Sequence, residues 1–305
     1  MKKTGTAATL LSKDTVKLRR SATMRGKPRT SARVTSHFGE LIQGPYQLDG
    51  SWEYSLVTLP CRALSTEMSL TGSRYHSIGP RTRQLWESLH EQFDLPLAYR
   101  ISKRSNIPIG KGLGSSTSDL FCAGLLFEKV YRKFASMDQL FTTCTGGEVA
   151  SDPLHLDFPA IFAQQKKSVL ARIKTVNTNI SFIGTFSKEA DQIETEALAI
   201  RKYSEDHVKA YNVSKALLSY GLASGCARSV AHACAISAEM NADFVHLKDF
   251  KEIFERQSKL GAFGYAISHS GPAISLMFDD PEKRDKALPK LKEDGYDAFA
   301  FEERV

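Results

Sequence analysis

The stretch Pro108-Ile-Gly-Lys-Gly-Leu-Gly-Ser-Ser-Thr-Ser118 constrains this chain more than any other. Gly110, Gly112 and Gly114 let the backbone approach a ligand closely and take conformations closed to other residues. Ser115, Ser116 and Thr117 stand where a long apolar helix, about Ser115–Phe134, is expected to begin. The free N–H groups and positive dipole end of such a helix start favour an anion such as phosphate. The hydroxyls can add hydrogen bonds or coordinate a hard cation such as magnesium. No Gly-Lys-Ser/Thr closes the loop, so it is not a Walker A sequence, and it is not the dinucleotide fingerprint. Lys111 can touch a phosphate or remain a solvated loop lysine.

Around this loop the pattern is mixed. Strands are expected near Glu53–Thr58, Arg62–Leu70 and Leu97–Lys103. A helix is expected over Arg81–Phe93, with Leu85, Trp86, Leu89 and Phe93 at helical spacing. Ser136, with Gln139 three residues on, starts a helix running to about Ala150. The second half reads as strands Ser168–Ile173 and Ile180–Phe186, then helical segments near 188–202, 206–220, 225–240 and 246–260. Strands Ala262–Ser268 and Ala273–Phe278 flank a Ser-Gly-Pro turn. Asp280 caps a helix with Pro281 in its first turn. Gly295 ends that helix, and Ala298–Glu302 forms a last strand. Strands and helices mixed in both halves predict an α+β protein of two fused lobes.

Charge is unevenly placed. The chain of 305 residues carries a net charge of +7, but residues 1–34 hold five Lys and five Arg against Asp14 alone. The remainder has 31 basic and 33 acidic residues. The first 33 residues therefore read as a basic, disordered tail. It is Ser/Thr/Arg-rich like a transit peptide, Met24 offers an internal start, and no aromatic residue sits among its basic ones to stack on bases. Binding of nucleic acid is not expected. No apolar run is long enough to span a membrane. The five cysteines include no C-x-x-C pair, which fits a reducing, cytoplasmic location. Those on expected helices, Cys122, Cys144, Cys226 and Cys234, read as small packed hydrophobes.

Three segments together resemble the GHMP kinase superfamily. Pro108, Gly112-Leu113-Gly114 and Ser115-Ser116 match every fixed position of its second motif. Ser36-His-Phe-Gly-Glu-Leu-Ile-Gln-Gly44 looks like the first motif as it stands in the L-threonine kinases of cobalamin biosynthesis. Gly264–Gly271, ending Ser268-His-Ser-Gly271, is similar to the third motif of that subgroup. The resemblance spans about residues 34–280. It implies an N-terminal ATP-binding lobe (34–175) with a left-handed β-α-β unit and an α+β C-terminal lobe (176–305), the active site lying between them. It implies ATP and Mg2+ as cofactors, with Pro108, Gly110–Gly114 (Lys111 and Leu113 included), Ser115, Ser116 and Thr117 around the phosphates. Ser116 would also hold magnesium. Glu40, Gln43, His269, Ser270 and Gly271 would meet the substrate. Glu40 and Gln43 could equally hold the first motif's turn together, and His269 could be a structural donor.

The family places a magnesium-binding Glu and a basic Asp after the phosphate-loop helix. Here Glu148-Val-Ala-Ser-Asp152 stands in that place. Four residues apart on a continuous helix, the two carboxylates would share a face. Glu148 would then bind metal and Asp152 would take the catalytic role. An alignment on Ser151-Asp152 puts Val149 at the Glu position, His155 and Asp157 are neighbouring alternatives, and Asp152 could instead cap a helix begun by Pro153. The implied reaction is ATP-dependent phosphorylation of a small-molecule alcohol, L-threonine first. The other readings are homoserine or a specialised metabolite as acceptor, and a non-catalytic nucleic-acid-binding or regulatory protein on the same fold. An alcohol is far too weak an acid to ionise at neutral pH, so a base or the phosphate itself must take its proton.

Overall fold

A computed structural model describes residues 30–71, 76–176, 178–188, 202–245, 247 and 250–305. Two long strands open it: β1 (Ser31–Leu48) and β2 (Ser51–Thr71), paired antiparallel around a tight turn at Asp49-Gly50. There follow α1 (Pro80–Gln92), β3 (Arg100–Ser105), α2 (Ser115–Tyr131), α3 (Met137–Cys144), β4 (Ala160–Ala163), β5 (Ser168–Arg172) and β6 (Asn179–Phe186). The chain continues through α4 (Glu205–Ser224), α5 (Ala227–Asn241), α6 (Phe250–Lys259), β7 (Gly264–Ile267), β8 (Ala273–Phe278), α7 (Pro281–Glu293) and β9 (Ala298–Arg304). The nine strands form one sheet in the order β5-β4-β2-β1-β7-β8-β6-β9, with β3 on the free side of β2. A mixed α+β architecture is what the sequence pattern predicts.

β1 is central to everything that follows. From Ser36 to Pro45 every residue is buried. On one side helices α1 to α3 pack Trp86, Phe121, Phe127 and Phe141 against Val34, Leu56 and Met68. Elsewhere α4 and α5 bring Leu218, Leu222 and Val230 into the core that holds Phe38, Leu41 and Ile42. A third cluster gathers β7 and β8 with α6 and α7. At about 2 kcal/mol for each fully buried large apolar side chain, these clusters are the main favourable term. β1 meets β7 at the Glu40–Ile267 rung, which joins the strands of the first half of the chain to those of the second. β3 and β4 both run antiparallel to β2, along the edge that β1 leaves free, and α2 and α3 connect them.

Several expectations are corrected. The two strands near Glu53–Thr58 and Arg62–Leu70 are one strand, β2, carried past Pro60 where the register with β1 is irregular. Ser31–Arg33, counted with the tail, are the first residues of β1 and pair with Glu67–Ser69; residues 1–29 lie outside the described residues, as does most of the 188–202 segment. α2 stops at Tyr131, because Arg132 turns left-handed. The helix capped by Ser136 ends at Cys144, so Glu148 and Asp152 share no helix, and none begins at Pro153. Cys226 is half-buried at the start of α5 rather than inside it. By contrast Asp280 caps α7 as expected, its Oδ1 accepting from the Glu282 N–H at 2.8 Å.

Candidate active site

The phosphate-type loop enters α2 through Gly114, whose φ of 65° is left-handed and which offers no capping side chain. The first-turn N–H groups of α2 therefore carry no cap, in the arrangement that suits an anion. Gly112 (φ 66°) presses on the turn between β7 and β8. A Cβ there would lie 2.8 Å from the Gly271 nitrogen. A Cβ on Gly114 would lie 2.8 Å from Asp152 Oδ2 and 3.0 Å from the His37 ring. Glycine is thus required by conformation and by space at both positions. Ser36 Oγ donates to the Leu113 carbonyl and anchors the loop to β1.

The loop walls a cleft of about 520 Å³, within the range of small-ligand sites. Gly110, Gly112, Leu113, Gly114, Ser115, Ser116 and Thr117 line it, with Glu148, Asp152, His269 and Ser270 opposite. Pro108, Lys111, Gly271, Glu40 and Gln43 stand outside this lining. Gly271 backs the loop. Lys111 places its ammonium 5.4 Å from the centre of the Phe186 ring. Gln43 is structural in its contacts: Oε1 accepts from the Tyr54 hydroxyl at 2.6 Å, Nε2 donates to Ser268 O at 3.4 Å, and its backbone is tied to Ser237 and Asn241 of α5. His155 stacks on Phe141 at 3.9 Å, and Asp157 is exposed, so neither alternative joins the cleft wall.

The cleft floor is formed by Asp152, Gln164 and His269, which belong to a buried polar cluster that sequence reasoning only half anticipated. Asp152 Oδ2 is 3.3 Å from His37 Nε2, and its Oδ1 accepts from Gln164 Nε2 at 2.7 Å. Gln164 Nε2 also lies 3.1 Å from His269 Nε2, while His269 Nδ1 is 3.0 Å from Glu40 Oε1. Glu40 in turn stands 3.6 Å from His37 Nδ1. His37 and Gln164 were given no role from the sequence. His37 and Glu40, three apart, should face opposite sides of a regular strand. One extra residue of β1 between them, opposite Pro60 and Thr58 of β2, brings both to the same side. Gln164 follows β4, a four-residue strand too short to be read.

Electrostatics make His37 and Asp152 an ion pair. Burial alone would drive the His37 pKa down. The Asp152 carboxylate, followed by Glu40 and the Gly39 backbone, overcomes this and raises it to about 9. Burial likewise opposes ionisation of Asp152. The His37 charge, then His269 and the Gln164 hydrogen bond, hold its pKa at about 2. A raised histidine pKa gives stability that is complete below about pH 6.5 and disappears as pH climbs through 9. The depressed Asp152 pKa gives the mirror case, complete above about pH 4 and lost toward pH 2. Urea unfolding between pH 6.5 and 9.5 should therefore show a decline of about 3 kcal/mol that is absent from a His37→Gln variant. An identical decline in the variant would refute the pairing.

Ser116 and Glu148 offer a hydroxyl and a carboxylate oxygen on the same cleft, donors that suit magnesium, which keeps most of its waters and takes few protein ligands. Glu148 leaves the turn after α3 with its backbone N–H on Thr145 O, and its Oε1 lies 3.3 Å from Arg81 Nη1. Lys167 Nζ donates to Thr145 O and holds that turn in place.

An uncapped helix start, a glycine loop of non-Walker type and a buried carboxylate meet across one cleft of an α+β fold. Sequence profiles agree: residues 81–164 match the GHMP kinases N terminal domain and residues 216–297 the GHMP kinases C terminal domain, together more than half of the chain. This chain belongs to the GHMP kinase family. Homoserine kinase of Clostridium beijerinckii is 24% identical over 197 residues, 62% of this chain and 64% of that protein. Homoserine kinase of Clostridium botulinum is 23% identical over 194 residues, 62% and 65%. The chain thus spans just under two thirds of these relatives' length. Among solved structures, homoserine kinase from Cytophaga hutchinsonii superposes with a TM-score of 0.64 at 12% identity, covering 93% of this chain and 98% of that one. L. major mevalonate kinase in complex with R-mevalonate gives 0.62 at 9% identity, covering 91% and 96%. At such identities the superpositions show the fold. No described helix is long and apolar enough to cross a membrane.

Proposed function

We propose that this chain transfers the γ-phosphate of ATP to the side-chain hydroxyl of a small amino-acid alcohol, L-threonine before others. The observation that carries the reading is the uncapped α2 start facing the ionised, 5% exposed Asp152 across a single cleft. Phosphoryl transfer depends on positioning and on neutralising charge at the transferred group. The N–H groups of Ser115 to Thr117 and the glycine backbone would receive the phosphates. Ser116 and Glu148 would hold Mg2+, which when bound neutralises phosphate charge. Asp152, fixed by His37 and Gln164, accepts the hydrogen bond of the substrate hydroxyl and aims its oxygen at the phosphorus. With so low a pKa it is an orienting acceptor that takes the proton only as the new O–P bond forms.

L-threonine rests on the Gly39-Glu-Leu-Ile-Gln-Gly44 string, whose Glu40 contacts His269 at the cleft wall. Homoserine is the second reading, supported by the names of the Clostridium relatives. A cytoplasmic location and a place in cobalamin biosynthesis belong to the same proposal. Phosphorus NMR of the chain with MgATP and, separately, L-threonine, L-homoserine, L-serine or no acceptor tests it. A phosphothreonine resonance that requires L-threonine is expected. A phosphohomoserine resonance alone would transfer the assignment to the second reading, and no phosphomonoester with any acceptor would overturn both. For the metal role, Glu148→Gln should raise the Mg2+ concentration for half-maximal rate by roughly tenfold, read by magnesium titration at fixed ATP. An unchanged requirement would remove Glu148 from the metal site.

A further inference from the structure

On the other side of Pro153 lies a second cleft, of about 500 Å³, lined in part by Ser36 and His37 of β1. Three arginines reach it from separate strands: Arg62 of β2, Arg172 of β5 and Arg304 of β9. Arg62 is engaged, its Nη1 on Glu303 Oε2 at 2.6 Å and its backbone N–H on the other oxygen of the same carboxylate. Arg172 places its Cζ 4.0 Å from the centre of the Phe158 ring, and its guanidinium N–H groups have no acceptor among the described residues. Arg304 pairs through its backbone with Asn179, and its guanidinium likewise has no acceptor there. The Thr58 hydroxyl, also in this lining, is buried without a hydrogen-bond partner. Asp157 is the acidic side chain of the lining, and one oxygen of the Val305 carboxylate accepts from the Thr175 hydroxyl and the Thr178 N–H.

We propose that this cleft is a second anion site that binds the phosphate group of a small molecule through Arg172 and Arg304. A guanidinium offers a planar fork that matches phosphate oxygens two at a time, and stacking on an aromatic ring removes much of the ordering cost. The chemistry differs from that of the glycine loop, which offers backbone N–H groups and a helix end. The volume exceeds what inorganic phosphate fills and suits a phosphorylated metabolite. The site does not depend on which alcohol the chain phosphorylates, nor on whether it phosphorylates one. A ligand seated there would touch the back of the segments that carry His37 and Asp152.

Isothermal titration calorimetry of the full chain at low ionic strength, with inorganic phosphate and with sn-glycerol 3-phosphate, tests the proposal. The wild-type chain should bind, and Arg172→Gln/Arg304→Gln should weaken binding at least tenfold while ATP binding stays intact. Arg172→Lys, which keeps the charge and loses the fork, should fall between the two. Both arginines are exposed, so the variants should melt with the parent. Tighter binding of the ester would identify the ligand as a phosphomonoester, and equal binding would identify free phosphate. No binding by the wild-type chain would overturn the site. Undiminished binding by the double variant would overturn it too, by placing the anion on the glycine loop.

Discussion

Asp152→Asn is expected to lower turnover by roughly a hundredfold to ten-thousandfold with little change in the KM for ATP. The asparagine would keep the size and the Gln164 contact but lose the charge that pairs with His37 at 3.3 Å. Two effects then act together. The substrate hydroxyl loses its acceptor, and His37, fully buried, loses the carboxylate that keeps it protonated. Steady-state kinetics with the acceptor identified by NMR would measure the first effect. The second predicts that the variant loses the His37-dependent decline in stability toward pH 9. The wild-type pH profile gives an independent reading. Because Asp152 titrates near pH 2, the acid limb of kcat should carry no inflection from it between pH 5 and 8. Turnover of Asp152→Asn within threefold of the parent would exclude Asp152 from the reaction.

Gly112→Ala should weaken ATP binding by roughly 5- to 150-fold. The backbone at φ 66° penalises any L side chain, and the new methyl would meet the Gly271 backbone at 2.8 Å, where no flexible side chain can yield. Strain and displacement of this kind cost about 1–3 kcal/mol, a factor of roughly 5 to 150. Gly110→Ala is the internal control. Its φ is 72°, yet nothing lies within 4 Å of the Cβ position, so only the conformational penalty of about 1 kcal/mol applies. Equilibrium titration with a fluorescent ATP analogue would rank the two. Equal losses would show that the contact between the glycine loop and the Ser270–Gly271 turn contributes nothing to binding.

The glycine loop and the start of α2 were legible because their demands are local: a left-handed residue and an uncapped helix start are written in adjacent letters. β1 was not. Ser36–Pro45 is covered on both faces, so it shows no alternation, and Gly39, Gly44 and Pro45 read as punctuation inside what is in fact the middle of the sheet. The floor of the site was hidden for a related reason. His37 joins Glu40 only through a bulge, a property of the pair of strands rather than of either sequence. Glu148 and Asp152 were found as residues but misplaced as a helical pair, since their spacing is satisfied equally by the irregular segment that carries them. Fold class followed from pattern, and the motif positions from resemblance, while the contacts that tune Asp152 needed three dimensions.

The course of β1 has a mechanical meaning. Between Ser36, which holds the glycine loop, and Gln43, which is fastened to α5 and to the Ser268 carbonyl, β1 runs on through two register shifts against β2. The glycine loop and the turn that carries His269 are thus both moored to β1, and Glu40 pairs that strand with β7 midway. A jaw that closes by bending the sheet would have to break that rung and the buried ion pair with it. The irregular stretch from Thr145 to Asp152 is pinned at both ends, by Lys167 on the Thr145 carbonyl and by His37 and Gln164 on Asp152, so Glu148 is presented from a held segment.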